Sequence, residues 1–395
     1  MMIKFIFKVF LMTIVLNIVT DFTLFSQSSP GNDKIINDVV LELDPSENNP
    51  RNSEGAFITL SDGTIMFAYT RYYGGARDHS KADIAARYST DDGNTWTDED
   101  QILIKNDAEQ NVMSVSLLRL QDGRIALFYL RKNGLHDCRL VMKTSSDEGK
   151  NWTDAILTIP APGYFVVNND RVVQLKSGRI IVPAAYHRRK GEDTQDMKSF
   201  DRRATAIFFI SENKGKTWRE SKSWWTLPVV STTGLQEPGI IELNDGRLFS
   251  WARTDQGCQY GMWSFDDGDT WSPPQPTQFR SPNSPLSMKR FPNNNHLLAI
   301  WNDHSGRFAL YPTQPATVGR MPMVSAISEN EGKTWKHFKQ IESNPDEGYC
   351  YTAIHFVDDA VLLAYCAGDA ETKGCLNRLR IRKIKLDWFY LKLEE

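Results

Sequence analysis

Seven charged or aromatic residues occupy comparable places in this sequence, either at the start of an apolar strand or directly after one. They are Arg51, Arg71, Asp78, Glu237, Arg253, Arg320 and Tyr351. Guanidinium groups bind a carboxylate, in part bidentately, whereas aspartate, glutamate and tyrosine side chains exchange protons with a reacting group. A single arginine at a strand end is usually a solvated surface residue, so the prediction of a site rests on their joint placement.

The elements that would position these residues are marked by a short motif that occurs five times. Its pattern is Ser-x-(Asp/Asn)-x-Gly-x-(Thr/Asn)-Trp, and the copies begin at Ser89, Ser145, Ser211, Ser264 and Ser328. The Asp or Asn side chain favours a turn, the glycine supplies a positive φ, and the tryptophan is a large apolar anchor. Because the motif returns at similar intervals along the chain, it predicts a rigid hairpin turn in a repeat architecture and not a catalytic group.

A second repeat alternates with these boxes and predicts six inner hairpins. Each hairpin joins two apolar strands through a polar turn, as at residues 61–63, 121–123 and 244–246, and Asp-Gly between apolar runs is the strongest short hairpin signal. One box falls in each of the five gaps, which gives about four strands per unit and predicts an all-β fold, a six-bladed β-propeller. Strands at residues 34–43 and 379–386 would complete the last blade. The ends of the inner strands would then surround one mouth of a central channel.

Length, composition and charge narrow the class of protein. The 395 residues, 41% of them hydrophobic, suffice for one large domain, and a net charge of −3 without a dense Lys/Arg run argues against nucleic-acid binding. The five cysteines are too few for a disulfide scaffold but allow one bridge among Cys350, Cys366 and Cys375. Neither a CxxC nor an HExxH spacing occurs, so we expect no metal and no cofactor.

The N-terminus differs in kind from the rest of the chain. Lys4 and Lys8 precede and interrupt an apolar run over residues 5–19, and a more polar stretch ending near Ser26 follows. This pattern predicts a secretory signal peptide over residues 1–26, and hence an exported protein that is periplasmic or extracellular. The apolar run is short for a membrane span. Residues 27–44 would form a lead-in segment, which could belong to the closing blade, and residues 45–395 the propeller, which we expect to be a monomer.

The five boxes resemble the Asp boxes of the sialidase (neuraminidase) superfamily, and the resemblance covers roughly residues 45–390. That family has an arginine before its first inner strand and an acidic aspartate in the next loop, and Arg51 and Asp78 match this pair in order and spacing. The family also has a glutamate at the start of an inner hairpin that ends in a second arginine. Glu237 and Arg253 match this second pair.

The third arginine and the nucleophilic tyrosine of the family are matched, again in order and spacing, by Arg320 and Tyr351. Tyr349, which lies slightly closer to Arg320 in the sequence, competes for the role of nucleophile. The resemblance implies an exo-α-sialidase-like glycosidase that hydrolyses terminal sialic acid or a related acidic sugar from glycans. Three arginines would bind the glycone carboxylate, and Arg71 would lie near it. A glutamate would take the proton of the neutral tyrosine nucleophile, and the aspartate would protonate the leaving oxygen and then activate water.

The sequence departs from the family pattern at two places. Glu54 closely follows Arg51, where no carboxylate is expected, and it could pair with the arginine or turn outward. Asn168, Asn169 and Asp170 replace a glycine-rich turn, and they would contact substrate hydroxyls or the N-acyl region, or else only cap a turn. The glycone is therefore left open, because another nonulosonic or ulosonic acid, or a uronic acid, would keep the carboxylate.

Two further functions stay open at this point. A non-catalytic carbohydrate-binding propeller would need only the arginines, and a propeller lyase would use a histidine or tyrosine base on a uronic acid. His79, directly after Asp78, could tune that aspartate, but no decisive histidine pair marks a lyase. In every case the expected partners are sialylated or other acidic glycans.

Overall fold

The computed structural model describes residues 37–191 and 197–391, and almost all of its regular structure is β-strand. Two short 3₁₀ turns, Met197–Ser199 and Leu386–Tyr390, are the other regular elements of this part of the chain. The expected all-β fold is therefore confirmed. Within the described residues no helix has the length and apolar character that crossing a membrane requires. The predicted signal peptide, residues 1–26, lies outside them.

Four of the five sheets have four antiparallel strands each. In hydrogen-bonding order, one sheet contains β2 (Arg51–Thr59), β3 (Ile65–Tyr72), β4 (Ala82–Ser89) and β5 (Gln101–Ile104), and a second contains β15 (Gln236–Glu242), β16 (Leu248–Arg253), β17 (Cys258–Ser264) and β18 (Gln275–Arg280). A third contains β19 (Ser287–Arg290), β20 (Leu297–Asn302), β21 (Met323–Ser328) and β22 (Lys336–Glu342). The fourth contains β23 (Gly348–Val357), β24 (Ala360–Gly368), β25 (Leu379–Lys385) and β1 (Asn37–Leu43). The strand predicted at residues 34–43 is thus present as β1, which pairs with β25 near the other end of the chain.

The fifth sheet has nine strands and contains two of the repeating units. Its strands are β6 (Asn111–Arg119), β7 (Ile125–Gly134), β8 (Asp137–Ser145), β9 (Ile156–Leu157), β10 (Tyr164–Val166), β11 (Val173–Gln174), β12 (Ile180–Arg189), β13 (Phe200–Ser211) and β14 (Arg219–Glu220). Strand β10 joins the units, because it pairs antiparallel with β12 and touches β8 through the single parallel pair Tyr164 and Cys138. The described chain therefore holds six units of four main strands.

The predicted repeats lie where the sequence placed them. The six inner hairpins are β2–β3, β6–β7, β11–β12, β15–β16, β19–β20 and β23–β24. Each Asp box connects the third and fourth strands of a unit, and its bonds are internal: in the first box the Asp91 carboxylate accepts from the Ser89 hydroxyl (2.8 Å) and from the amide (2.9 Å) and hydroxyl (2.7 Å) of Thr95. The boxes are structural turns.

Six apolar clusters fill the interfaces between successive units. One of them packs the last unit against the first, with Phe57 and Tyr69 on one side and Leu362 and Ile381 on the other. Each central strand is thus covered on both faces. This explains why strands such as β2 and β24 are buried almost throughout instead of alternating between buried and exposed residues. All five cysteines are buried free thiols, so the bridge that the sequence allowed does not form.

A β-bulge recurs at the start of four inner hairpins and aims side chains at one end of the sheets. In each hairpin the register is interrupted, and the residue there has a positive φ: Glu54 (56°), Ser114 (57°), Glu237 (48°) and Tyr351 (61°). A bulge of this kind bends the strand and redirects the side chain from the face that strict alternation predicts. Three of these four residues carry groups that can exchange protons.

Candidate active site

A cavity of about 210 Å³ collects side chains from five of the six units. All four bulge residues line it. So do Asp78, Arg253 and Asn168 among the residues that the sequence singled out, together with His79, Lys132, Tyr164, His187 and Gln236. A concave site with convergent acidic, basic and phenolic groups is the usual setting for binding or catalysis.

Tyr351 is at the centre of a hydrogen-bonded trio within this cavity. Its hydroxyl donates to Glu237 Oε1 (3.3 Å) and accepts from Arg253 Nη1 (3.3 Å), while Arg253 Nη2 lies 3.1 Å from the same Glu237 oxygen. Burial raises the pKa of the Tyr351 phenol, and the neighbouring guanidinium opposes this shift. Tyr351 is therefore a neutral phenol in contact with a carboxylate that can take its proton and a cation that can stabilise its oxygen.

Tyr349, the competing tyrosine, lies elsewhere. It is fully buried in the apolar cluster between the last two units, and its hydroxyl donates to Glu347 (2.9 Å). The two tyrosines would share a face in a regular strand, but the bulge at Tyr351 separates them. The structure thus brings Tyr351, and not Tyr349, to Glu237.

Asp78 faces the open part of the cavity, with 58% of its side chain exposed, and three residues contact its carboxylate or its main-chain carbonyl. Arg51 Nη1 lies 2.6 Å from its Oδ1, and Lys132 Nζ (2.9 Å) and Asn111 Nδ2 (2.9 Å) both donate to its main-chain carbonyl. Enclosure by the cavity walls raises the pKa of the Asp78 carboxyl, yet the charges of Arg51 and Lys132 outweigh it and hold the pKa well below its usual range. The resting carboxyl is ionised.

Of the three arginines predicted to bind a carboxylate, Arg253 alone lines the cavity, and the other two lie behind its wall. Arg51, with 1% of its side chain exposed, sits behind Asp78 and Glu54. The Arg320 guanidinium lies 5.3 Å from the centre of the Tyr351 ring, and its Nη1 donates to the Cys350 thiol (3.0 Å). All three reach the same cluster of residues, and each already has partners, which for Arg253 are Glu237, Tyr351 and Gln236.

Two predicted substrate contacts are used by the fold instead. The Asn169 amide donates to the main-chain carbonyls of Gly55 (2.7 Å) and Tyr351 (3.0 Å), and Asp170 accepts from the Ile354 amide (3.0 Å) and Lys289 Nζ (2.7 Å). These bonds connect the third unit to the first, the fifth and the last. Of these three residues only Asn168 lines the cavity. The side chains of Asn169 and Asp170 make their bonds within the fold, and their contact with a substrate stays a prediction.

Arg71 is also placed away from the cavity. Its Nε lies 2.9 Å from the Asp100 carboxylate, which also binds Arg87 (2.5 Å) and the Tyr69 hydroxyl (2.6 Å). These groups belong to β3, to β4 and to the residue before β5 in the first sheet. The sequence reasoning did not anticipate this ion pair, because Asp100 lies beyond β4, just before β5. The expected place of Arg71 near a substrate carboxylate stays a prediction.

Lys132 is the main cavity residue that the sequence reasoning missed. It lies near the end of β7, the second strand of its inner hairpin, and pairs in register with Asn111, as Tyr72 pairs with Arg51 in the first unit. Its counterpart Tyr72 is fully buried and does not line the cavity, so alignment of the hairpins alone would not have marked Lys132. Lys132 is buried and lies 5.4 Å from the centre of the Tyr164 ring.

Two histidines line the cavity in their neutral form. Burial lowers the pKa of His187 to about 4, and its Nδ1 is 3.0 Å from the Asp201 carbonyl. Burial and the charge of Lys132 lower the pKa of His79, although Asp78 opposes this. Among residues 37–191 and 197–391 no group of three or more His, Cys, Asp or Glu side chains is arranged to hold a metal.

Comparison with known proteins shows the family to which the chain belongs. The model of the BNR repeat-like domain family matches residues 48–363. The chain belongs to the sialidase (BNR-repeat) superfamily. Within it, the chain is 28% identical over 240 residues to a sialidase from Paraclostridium sordellii (54% of this chain and 55% of that protein). It is 26% identical over 238 residues to a sialidase from Clostridium perfringens (54% and 58%).

The chain therefore spans little more than half the length of these curated sialidase relatives. Its fold is similar to that of the intramolecular trans-sialidase from Ruminococcus gnavus, with a TM-score of 0.65 over 90% of this chain and 98% of that chain. The sequence identity of that pair is 17%, so the likeness concerns the fold alone. Membership of the superfamily establishes the architecture of the repeat, while the reaction has to be argued from the cavity.

Proposed function

We propose that this protein is an exported exo-glycosidase of the sialidase type, which removes a terminal sialic acid or a related acidic sugar from glycans. Its six units would form a six-bladed β-propeller, with the cavity at one mouth of the channel. The observation that carries the proposal is the contact of Tyr351 with both Glu237 and Arg253 in a cavity that Asp78 also lines. Export rests on the signal peptide that the sequence predicts.

In the proposed first step Tyr351 Oη attacks the anomeric carbon while its proton passes to Glu237. The bond from the anomeric carbon to the leaving oxygen breaks, and Asp78 gives that oxygen its proton. A neutral phenol suits this role because a carboxylate nucleophile would be repelled by a glycone carboxylate on the same carbon. Arg253 stabilises the charge on the phenolic oxygen as the proton leaves.

In the second step Asp78 takes a proton from water, the hydroxide attacks the anomeric carbon, and the bond to Tyr351 breaks. Glu237 returns the proton to the phenol. Because the anomeric carbon is inverted once in each step, its stereochemistry is retained overall. Asp78 has to be protonated at the start of the reaction, although its pKa is low in the empty site. A glycone carboxylate that pairs with Arg51 would weaken the effect of that charge on Asp78 and raise its pKa toward the usual range, so the protonated form that the reaction needs would become more accessible.

The proposal is tested by hydrolysis of an aryl α-sialoside by Tyr351→Phe and Asp78→Ala, with folding monitored by thermal unfolding. We expect both variants to keep the fold and to lose at least about 100-fold in kcat/KM. Tyr349→Phe is the matched control, because Tyr349 lies in the core, and it should hydrolyse the substrate like wild type. Wild-type turnover by Tyr351→Phe and Asp78→Ala would refute the assignment. Binding without hydrolysis by the wild type would indicate a carbohydrate-binding protein.

A further inference from the structure

Glu54 is a buried carboxylate at the cavity that the proposed reaction does not use. It is the bulge residue of β2, lines the cavity beside Asp78, Glu237 and Tyr351, and leaves only 6% of its side chain exposed. Its position is fixed by Gly55, where an added Cβ would come within 2.4 Å of the Phe67 ring. The backbone therefore holds this carboxylate inside the cavity and leaves it little freedom to turn outward.

Glu54 shares Arg51 with Asp78. Arg51 Nη1 lies 2.6 Å from Asp78, and Nη2 lies 3.4 Å from Glu54 Oε2 and 3.2 Å from the Ser53 hydroxyl. Both terminal nitrogens of this guanidinium thus have partners. A glycone carboxylate that approaches Arg51 would become the third anion around one cation, and repulsion would oppose its binding unless one carboxylate is neutral.

The groups that face Glu54 decide which carboxylate takes the proton. On its own strand Glu54 faces Arg51. Across the cavity it faces two carboxylates, two cations and a phenol, which are Asp78 of the loop after β3, Glu237 of β15, Arg253 of β16, Lys132 of β7 and Tyr351 of β23. The two histidines that line the cavity, His79 and His187, are neutral. Burial raises the pKa of Glu54 to about 7, Arg51 opposes the shift, and Asp78 and Glu237 add to it. The Asp78 pKa is instead held low, so Glu54 is the carboxyl that is protonated near neutral pH.

We propose that Glu54 determines glycone specificity by competing with the carboxylate of an acidic glycone for Arg51, so that an anionic glycone binds to the form in which Glu54 carries its proton. The inference rests on the proposed function, because it concerns the glycone site of that reaction. Binding of an acidic sugar to the ionised form of the protein is therefore coupled to uptake of a proton by Glu54. A neutral residue at position 54 removes the need for this proton.

The test is binding of 2,3-didehydro-2-deoxy-N-acetylneuraminic acid, a carboxylate-bearing sialic acid glycal, measured by titration calorimetry between pH 6 and pH 8. In the wild type one linked proton should weaken binding about tenfold over this range, and buffers of different ionisation enthalpy should reveal proton uptake. In Glu54→Gln the Kd should be independent of pH and about tenfold lower than wild type at pH 8. Glu371→Gln, an exposed residue with the same loss of charge, should behave like wild type.

The outcomes separate this inference from the proposed function. A wild-type Kd that does not change with pH, an equal pH dependence in Glu54→Gln, or the absence of glycal binding by both proteins would overturn the role of Glu54. Hydrolysis of the aryl sialoside is measured separately at pH 6. If the glycal binds as expected but neither protein hydrolyses the sialoside, the glycosidase proposal fails and the competition for Arg51 stands.

Discussion

Replacing Asn169 by alanine should destabilise the fold by about 3 kcal/mol, although a substrate contact was expected at this position from the sequence. The Asn169 side chain is buried and supplies the donors for two main-chain carbonyls, those of Gly55 and Tyr351. A buried polar group left without its partner costs about 1 to 3 kcal/mol, so two carbonyls give about 2 to 6 kcal/mol, and we take a value in the lower half of this range.

The expected shift in Tm follows from the size of the protein. An unfolding entropy of about 2.1 cal/mol/K per residue, over the roughly 350 described residues, makes about 3 kcal/mol equivalent to a fall of about 4 °C. Differential scanning calorimetry measures this directly. Asn293→Ala is the matched control, because Asn293 is exposed in the turn between β19 and β20, and it should change stability by no more than about 0.5 kcal/mol.

Kinetics of aryl sialoside hydrolysis complete the test. The two carbonyls that Asn169 binds belong to Gly55, directly after the bulge residue Glu54, and to the bulge residue Tyr351. Loss of these hydrogen bonds should therefore disturb both bulges and lower kcat along with Tm. A variant with unchanged Tm and a KM raised several-fold would refute this reasoning. It would show instead that the Asn169 amide contacts the substrate.

Three further predictions concern single residues. Arg71→Ala should leave the KM for an aryl sialoside within about twofold of wild type, because the arginine pairs with Asp100 outside the cavity. The loss of this ion pair should lower the free energy of unfolding by at most about 1 kcal/mol. A tenfold rise in KM would contradict this. Glu54→Gln should remove a pH dependence of stability. Since the pKa of Glu54 rises from 4.5 to about 7 on folding, the free energy of unfolding of the wild type should fall by up to about 3 kcal/mol as pH increases through this window. Urea unfolding of both proteins at pH 5 and pH 8 measures the difference. Gly55→Ala should lower the unfolding free energy by about 1 to 3 kcal/mol through the clash with Phe67, and an unchanged urea midpoint would argue against a tightly packed bulge.

The repeating units could be predicted from the sequence because their signals are local. The Asp boxes and the inner turns depend on residues that are close neighbours in the chain, and the bonds of Asp91 with Ser89 and Thr95 follow from residue types alone. The ion pair of Arg71 could not be predicted for the opposite reason. Its partner Asp100 belongs to another part of the unit, and nothing near Arg71 in the sequence indicates that ion pair.

The sequence could not show whether Tyr349 or Tyr351 lies at the candidate site, and the reason is different. Regular alternation places residues 349 and 351 on the same face of a strand. In the structure Tyr351 has a φ of 61°, a conformation that sequence patterns assign to glycine or asparagine and not to a tyrosine. The bulge that separates the two side chains is visible only in the register with β24.

The four bulges give a physical account of how a repeat fold can build one asymmetric site. Glu54, Ser114, Glu237 and Tyr351 occupy the same structural position in four units, and each would cost on the order of 1 kcal/mol or more in backbone strain. Such strain persists only where neighbours hold the backbone, and Asn169 does so by binding the carbonyls beside two of the bulges. Different side chains at one repeated, strained position then bring two carboxyl groups, a hydroxyl and a phenol to the cavity, while the sheets that support them stay alike. Loss of Asn169 should therefore affect the first and the last unit together, although it belongs to neither.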